Sequence, residues 1–193
     1  GRFFVDTDCW VLEKTMKESP NQPLYEQWIE QGWLHKCPGE VFDSAYAINR
    51  IAELVDKGTN IYYFGYDPAQ SLTPINNLKA WLQTLFQKRE GMSSKDIADA
   101  IQHMVIPVSQ TSFTQNPRIT ELEEKMLSLD AWMEFSDSPL WPWCFGNCAV
   151  ESKGDPPIRR IVKGAGHSNK IDPVHGLLDA LYCFDLGEGK VSE

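Results

Sequence analysis

No phosphate-binding loop of the form G-x-x-x-x-G-K-[ST] occurs in the 193 residues, and no G-x-G-x-x-G follows an apolar run. Nucleoside triphosphate or dinucleotide binding by those routes is excluded, so no bound nucleotide is expected. A G-x-S-x-G elbow is missing too, and neither cysteine nor serine stands with a histidine at a telling position, which argues against a nucleophilic hydrolase. No stretch approaches the roughly 18 uninterrupted apolar residues of a membrane-spanning helix, and no basic segment followed by an apolar one opens the chain. No membrane partner is expected. Basic side chains are scarce: 18 Lys and Arg face 27 Asp and Glu, a formal charge of -9. The surface as a whole repels nucleic acid unless its cations gather in one place. Cysteine is sparse and odd in number, with Cys9, Cys37, Cys144, Cys148 and Cys183 widely scattered. Free thiols in a reducing environment are expected, in preference to a zinc site built from Cys144, Cys148, His167 and His175, whose spacing is unusual for zinc.

What the chain does hold, 42% hydrophobic and 11% aromatic residues with 12 prolines and 13 glycines, is the composition of a folded domain with a sizeable core. Its length suits a single domain over residues 1–193. Gly1 and Arg2 lead without a methionine into the apolar run Phe3-Phe4-Val5, and the chain is expected to be a fragment of a longer polypeptide.

Phe3 to Val5 is β-prone, and Trp10 to Glu18 is expected to begin a polar helix stopped by Pro20. Pro23 suits a first helical position, with Leu24, Trp28 and Ile29 on one face and Gly32 as the stop. After a short element at Trp33 to His35 and a Pro38-Gly39 turn comes the clearest helical pattern. It runs through Ala47, Ile48, Ile51, Ala52, Leu54 and Val55, with Asp43 or Ser44 as cap and Gly58 as end. Ile61 to Tyr66 is a nearly unbroken apolar run, expected as a strand covered on both faces and ending at Asp67-Pro68. Helices over Ile75 to Lys88 and Ser93 to His103 precede a second buried strand, Met104 to Val108. Gln110 to Pro117 reads as turns, and Ile119, Leu122, Met126, Leu129 and Met133 as a helical stripe. Ser136 to Trp143 reads as a compact loop leading into the apolar stretch Cys144 to Val150. Lys153 to Lys170 is a polar excursion. Asp172-Pro173 then opens an amphipathic helix with Val174, Leu177, Leu178 and Leu181 inward. Strands alternating with helices point to an α/β domain with a partly parallel sheet.

Ligands of open α/β sheets gather outside the carboxyl ends of the strands, where Asp67 is expected. Carboxylates converging there can hold Mg2+ or Mn2+ through hard oxygen ligands. Asp67 and Asp172 are the candidates, although a turn before Pro68 and a helix cap before Pro173 are ordinary uses of the same residues. Lys153, Arg159, Arg160, Lys163 and Lys170 oppose only Asp155 between residues 153 and 170, a local charge of +4. Set directly before Asp172, this cluster is placed to bind a phosphate backbone, though a solvated hairpin has the same composition.

In order along the chain stand Arg2-Phe3-Phe4, the Trp28 to Leu34 helix-turn and Pro38-Gly39-Glu40-Val41, then Ile61 to Tyr66 running into Tyr66-Asp67-Pro68. Pro107-Val108-Ser109-Gln110, Glu121-Leu122-Glu123, Asn147 before a strand and Lys170-Ile171-Asp172-Pro173 entering an apolar helix follow. In this order the chain resembles the nuclease domain of phage terminase large subunits, the DNA-packaging enzymes of tailed phages. The resemblance implies an RNase H-like mixed sheet flanked by helices. It also implies a two-metal, Mg2+- or Mn2+-dependent endonuclease that cuts concatemeric double-stranded DNA at the start and end of packaging. Of the family's three metal-binding acids, Asp67 resembles the second and Asp172 the third. The first lies on an opening strand, and no strand with a matching acid precedes Arg2-Phe3-Phe4. Asp6 and Asp8 match a later stretch. The ATPase domain that precedes the nuclease in that family is not expected within these 193 residues, since they hold no phosphate loop. Lys163 or Lys170 would neutralise the scissile phosphate. The portal and the small terminase subunit would be partners, in the cytoplasm of the bacterial host. A non-catalytic DNA-binding or motor-docking module and a resolvase-type nuclease on the same fold are the alternatives.

Overall fold

The computed structural model describes residues 3–69, 72–88, 91–128, 133–166 and 170–187. Its elements run β1 (Phe3–Val5), β2 (Cys9–Leu12), α1 (Glu13–Lys17), α2 (Gln22–Glu30), β3 (Leu34–Cys37), α3 (Ala45–Asp56), β4 (Phe64–Tyr66) and α4 (Leu72–Gln87). They continue with α5 (Ser94–Met104), β5 (Val105–Pro107), α6 (Ser112–Leu127), β6 (Met133–Phe135), α7 (Leu140–Gly146), β7 (Cys148–Lys153), β8 (Ile158–Lys163) and α8 (Asp172–Gly187). The class is α/β. Pairing is parallel for β1 with β6, β2 with β3 and β4 with β5, and antiparallel for β7 with β8; among the described residues each pair is a separate two-stranded sheet, where one mixed sheet was expected. Among the described residues no helix is long and apolar enough to cross a membrane.

The chain divides into two compact units, Gly1–Phe42 with Gln110–Leu178 and Asp43–Ser109 with Asp179–Glu193. In the first, Pro23 near the head of α2 fits the fixed φ of a first helical turn. That helix turns Tyr25 and Trp28 into a core with Met16, Leu34 and Leu140. Trp143 meets Trp28 edge-on at 5.3 Å between ring centroids and Tyr25 at 6.0 Å, the crossing that aromatic quadrupoles favour. β1 is held to β6 from Phe3 opposite Met133 to Val5 opposite Phe135, and Ser136 extends the pairing by donating to the Val5 carbonyl at 2.8 Å. Lys125 of α6 lies over the Phe3 ring, 4.7 Å from its centre.

In the second unit Leu78, Leu82 and Phe86 recur every four residues along α4 and meet Ile97 and Ile101 of α5 and Val105 of β5. Ser93 and Asp96 cap α5 reciprocally: each side chain accepts from the other's backbone N–H. Gly65, in the middle of β4, lets the helix residues Asp179 and Cys183 come close. A Cβ there would lie 2.9 Å from Cys183 Sγ and 3.0 Å from the Asp179 carbonyl oxygen.

Several elements differ from the sequence reading. Trp10 to Glu18 is not one helix: Cys9–Leu12 pairs with Leu34–Cys37, and only Glu13–Lys17 is helical. An apolar, partly β-branched run took the strand partner that local helix propensity ignores. The strand expected from Ile61 is confined to Phe64–Tyr66, because its ladder is only as long as Val105–Pro107 opposite, and Tyr62 is 64% exposed. Helix α6 begins at Ser112 behind a Thr111 cap and contains Pro117, where turns were expected. It accepts the loss of one helical hydrogen bond within a helix anchored against β8 by polar side chains. Its stripe stops early: Met126 is exposed, Leu129 lies outside the described residues and Met133 belongs to β6. Ser136 to Trp143 is not all loop, since Leu140–Gly146 is helical and buries Leu140, Trp141 and Cys144.

Candidate metal and nucleic-acid site

Parallel pairing at β4 continues to its carboxyl end, where the Val108 N–H donates to the Tyr66 carbonyl at 2.8 Å. Asp67 follows at once and is exposed, as the strand-end argument requires. Its Oδ1 accepts from the Ala69 N–H at 2.9 Å, closing a turn over Pro68. Asp179 is in the same unit but is buried on α8.

Asp172 belongs to the first unit and is the exposed first residue of α8. Asp6, Asp8 and several thiols stand in the same unit. Asp6 is exposed, its Oδ1 accepting from the Thr7 N–H at 2.9 Å. Asp8 approaches His35 at 3.5 Å. Burial raises the Cys9 thiol above its usual range, the Thr7 hydroxyl counteracts this, and the negative charges of Asp172 and Asp8 raise it further. Cys144 is pushed up to about 12, first by burial and then by Cys9, Asp172 and Cys148. Burial thus disfavours the reactive thiolate form of both cysteines. All five cysteines are free.

The basic segment as far as Lys163 belongs to the β7–β8 hairpin, whose successive residues face opposite sides. Arg159 faces α6. Its Nη1 donates to both Glu123 oxygens at 2.9 and 2.8 Å, its Nη2 to Thr120 Oγ1 at 2.7 Å, and its backbone N–H to Asn116 Oδ1 at 2.9 Å. Arg160 turns the other way and donates to Glu151 at 2.6 Å, sharing that carboxylate with Lys153 at 3.0 Å. Those two hydrogen bonds hold the Glu151 carboxyl below its usual range. Counting Glu123 and Glu151 with Asp155 reduces the local charge from the +4 of the sequence count to +2. Lys163 and Lys170 are exposed and make no ion pair among the described residues.

Sequence reasoning missed both acids. The signal for one was present: Gly154 to Pro157 is a turn composition, and folding the chain about it sets Glu151 opposite Arg160. Nothing local pairs Glu123 with a residue 36 positions on.

Among the described residues no group of three or more His, Cys, Asp or Glu is gathered as a metal site. Asp67 and Asp172 suit hard cations chemically, but the described side chains do not by themselves form the donor set that two ions need.

The α/β architecture is of the RNase H-like class. The fold is similar to part of the large terminase of bacteriophage HK97, known from its crystal structure, with a TM-score of 0.61 and 21% identity over 90% of this chain. It spans 32% of that protein's length. No protein-family model matches the chain, and no curated protein matches it.

Proposed function

We propose that this chain is the nuclease part of a terminase large subunit, a Mg2+- or Mn2+-dependent endonuclease that cuts concatemeric double-stranded DNA during genome packaging. The observation that carries the proposal is the terminase-like fold, within which Asp67 follows a parallel strand and Asp172 heads α8. In this reading Asp67 and Asp172 contribute two of the metal-binding carboxylates, and acids outside the described residues complete the set. The ions, when bound, supply Lewis acidity at the phosphodiester and lower the pKa of the attacking water. The chain's own residues bind and orient: Lys163 and Lys170 take the phosphate backbone, and Lys153, Arg159 and Arg160 join them when DNA displaces their internal carboxylates. The portal and the small terminase subunit are the protein partners, and the host cytoplasm is the place of action.

A second reading, a DNA-binding or motor-docking module without catalysis, is favoured by the missing three-ligand group among the described residues. Titration with Mn2+ separates the two. The nuclease reading expects metal-dependent nicking of plasmid DNA that Asp67→Asn and Asp172→Asn both remove. DNA binding with no nicking at any metal concentration, in this chain and in a longer polypeptide containing it, would leave the docking module.

A further inference from the structure

Asn147 joins four segments. Its backbone N–H ends α7 by donating to the Trp143 and Cys144 carbonyls at 3.1 and 3.2 Å, and β7 begins with the next residue. Its carbonyl accepts from the Gly164 N–H at 2.8 Å, just past Lys163 at the end of β8. Its side-chain Nδ2 donates to the Lys170 carbonyl at 3.2 Å, two residues before Asp172. The approach to Gly164 is close: a Cβ at that position would lie 3.1 Å from the Asn147 carbonyl oxygen, which would have to give by a few tenths of an ångström. One residue thus closes both ends of the span 164–170. It brings the end of β8 to the entry of α8.

We propose that Asn147 is a positioning residue. Its side-chain amide fixes Lys170 and the first turn of α8 beside Lys163, so that the two lysines, which make no ion pair among the described residues, address one phosphate next to Asp172. The proposal deepens the DNA-cutting reading and rests on it. The residue type follows from the partner: a carbonyl must receive a donor, and a carboxylate of equal size would set lone pairs against it.

The test is a double-mutant cycle on the whole chain, read as affinity for a double-stranded DNA fragment across a salt series. Asn147→Ala is expected to lower the salt slope by about one unit, as Lys170→Ala does. The pair Asn147→Ala with Lys170→Ala should fall no further than Lys170→Ala alone, whereas Asn147→Ala with Arg160→Ala should be additive. Unchanged DNA affinity in Asn147→Ala, or additivity with Lys170→Ala, overturns the proposal. So does a loss of affinity that merely follows a lowered melting temperature. If Lys163→Ala and Lys170→Ala both leave DNA affinity unchanged, it is the DNA reading that fails. Amide hydrogen exchange then decides on Asn147: its replacement should speed exchange at Val174 and His175, whose N–H groups bond Ile171 at the head of α8, by at least about five-fold while leaving Trp28 unaffected. Equal protection at those amides refutes the clasp.

Discussion

At the scale of single residues, close approach and reciprocal capping make the sharpest demands. Gly65 has no room for a methyl group, because both neighbours stand inside ordinary contact distance and one is backbone. Gly65→Ala should therefore destabilise by about 1–3 kcal/mol in urea unfolding. Adding Cys183→Ala should recover only part of the loss, since the Asp179 carbonyl stays in place. Asp96 behaves differently. The Ser93 hydroxyl and backbone N–H hold its carboxyl below the usual aspartate range. A group depressed in the folded state contributes stability that is present above its unfolded pKa and lost as pH falls through the folded one. Ser93→Ala should cost about 1 kcal/mol at neutral pH. Unfolding measured from pH 5 downward should show the gap between mutant and parent closing as Asp96 takes up its proton, and a constant gap would contradict the capping box.

At the scale of elements, the hairpin β7–β8 is docked on α6 by polar contacts as well as by Ile161. Gln115 is 3% exposed, accepts from the Ile161 N–H at 2.9 Å and donates to Gln110 at 2.9 Å, beside His175 Nδ1 at 3.3 Å. Gln115→Leu keeps the volume but leaves a buried N–H without its acceptor, for an expected loss of about 1–3 kcal/mol by calorimetry. The same docking ranks the cations for DNA. Lys163→Ala should flatten the salt dependence by about one unit of slope. Arg159→Ala should flatten it less, because phosphate must displace Glu123 first; a larger effect from Arg159 would mean that the Glu123 pair opens freely. Elements with strong periodicity and punctuation were legible in sequence: α2 behind Pro23, α3 ending before Gly58, α5 behind Ser93 and α8 behind Pro173. Where partners decide, the sequence misled. Cys9–Leu12 is a strand because Leu34–Cys37 lies alongside, and Ser112–Leu127 stays helical through Pro117 while its side chains bind β8. The site divided in the same way. Asp67 and Asp172 stand at a strand end and a helix start as read, whereas the carboxylates holding Arg159 and Arg160 and the Asn147 clasp depend on pairings across sequence distance.

At the scale of the whole molecule, the question is how many carboxylates the chain supplies to the proposed pair of ions. Asp67 and Asp172 are one acid in each compact unit, and the described residues gather no three-ligand group. Two ions need more fixed oxygen ligands than two monodentate acids provide, so one ion should bind weakly when no further acid joins them. In the proposed nuclease reading that further acid stands on a strand ahead of Phe3-Phe4-Val5. The 193-residue chain should therefore cut plasmid DNA with Mg2+ or Mn2+ far more slowly than a longer polypeptide that includes such a strand. The longer form should lose activity on Asp67→Asn or Asp172→Asn. Cutting by the short chain at the rate of the long one would place the missing ligand within these residues. Asp6, Asp8 and the buried Asp179 would then be the acids to replace in turn.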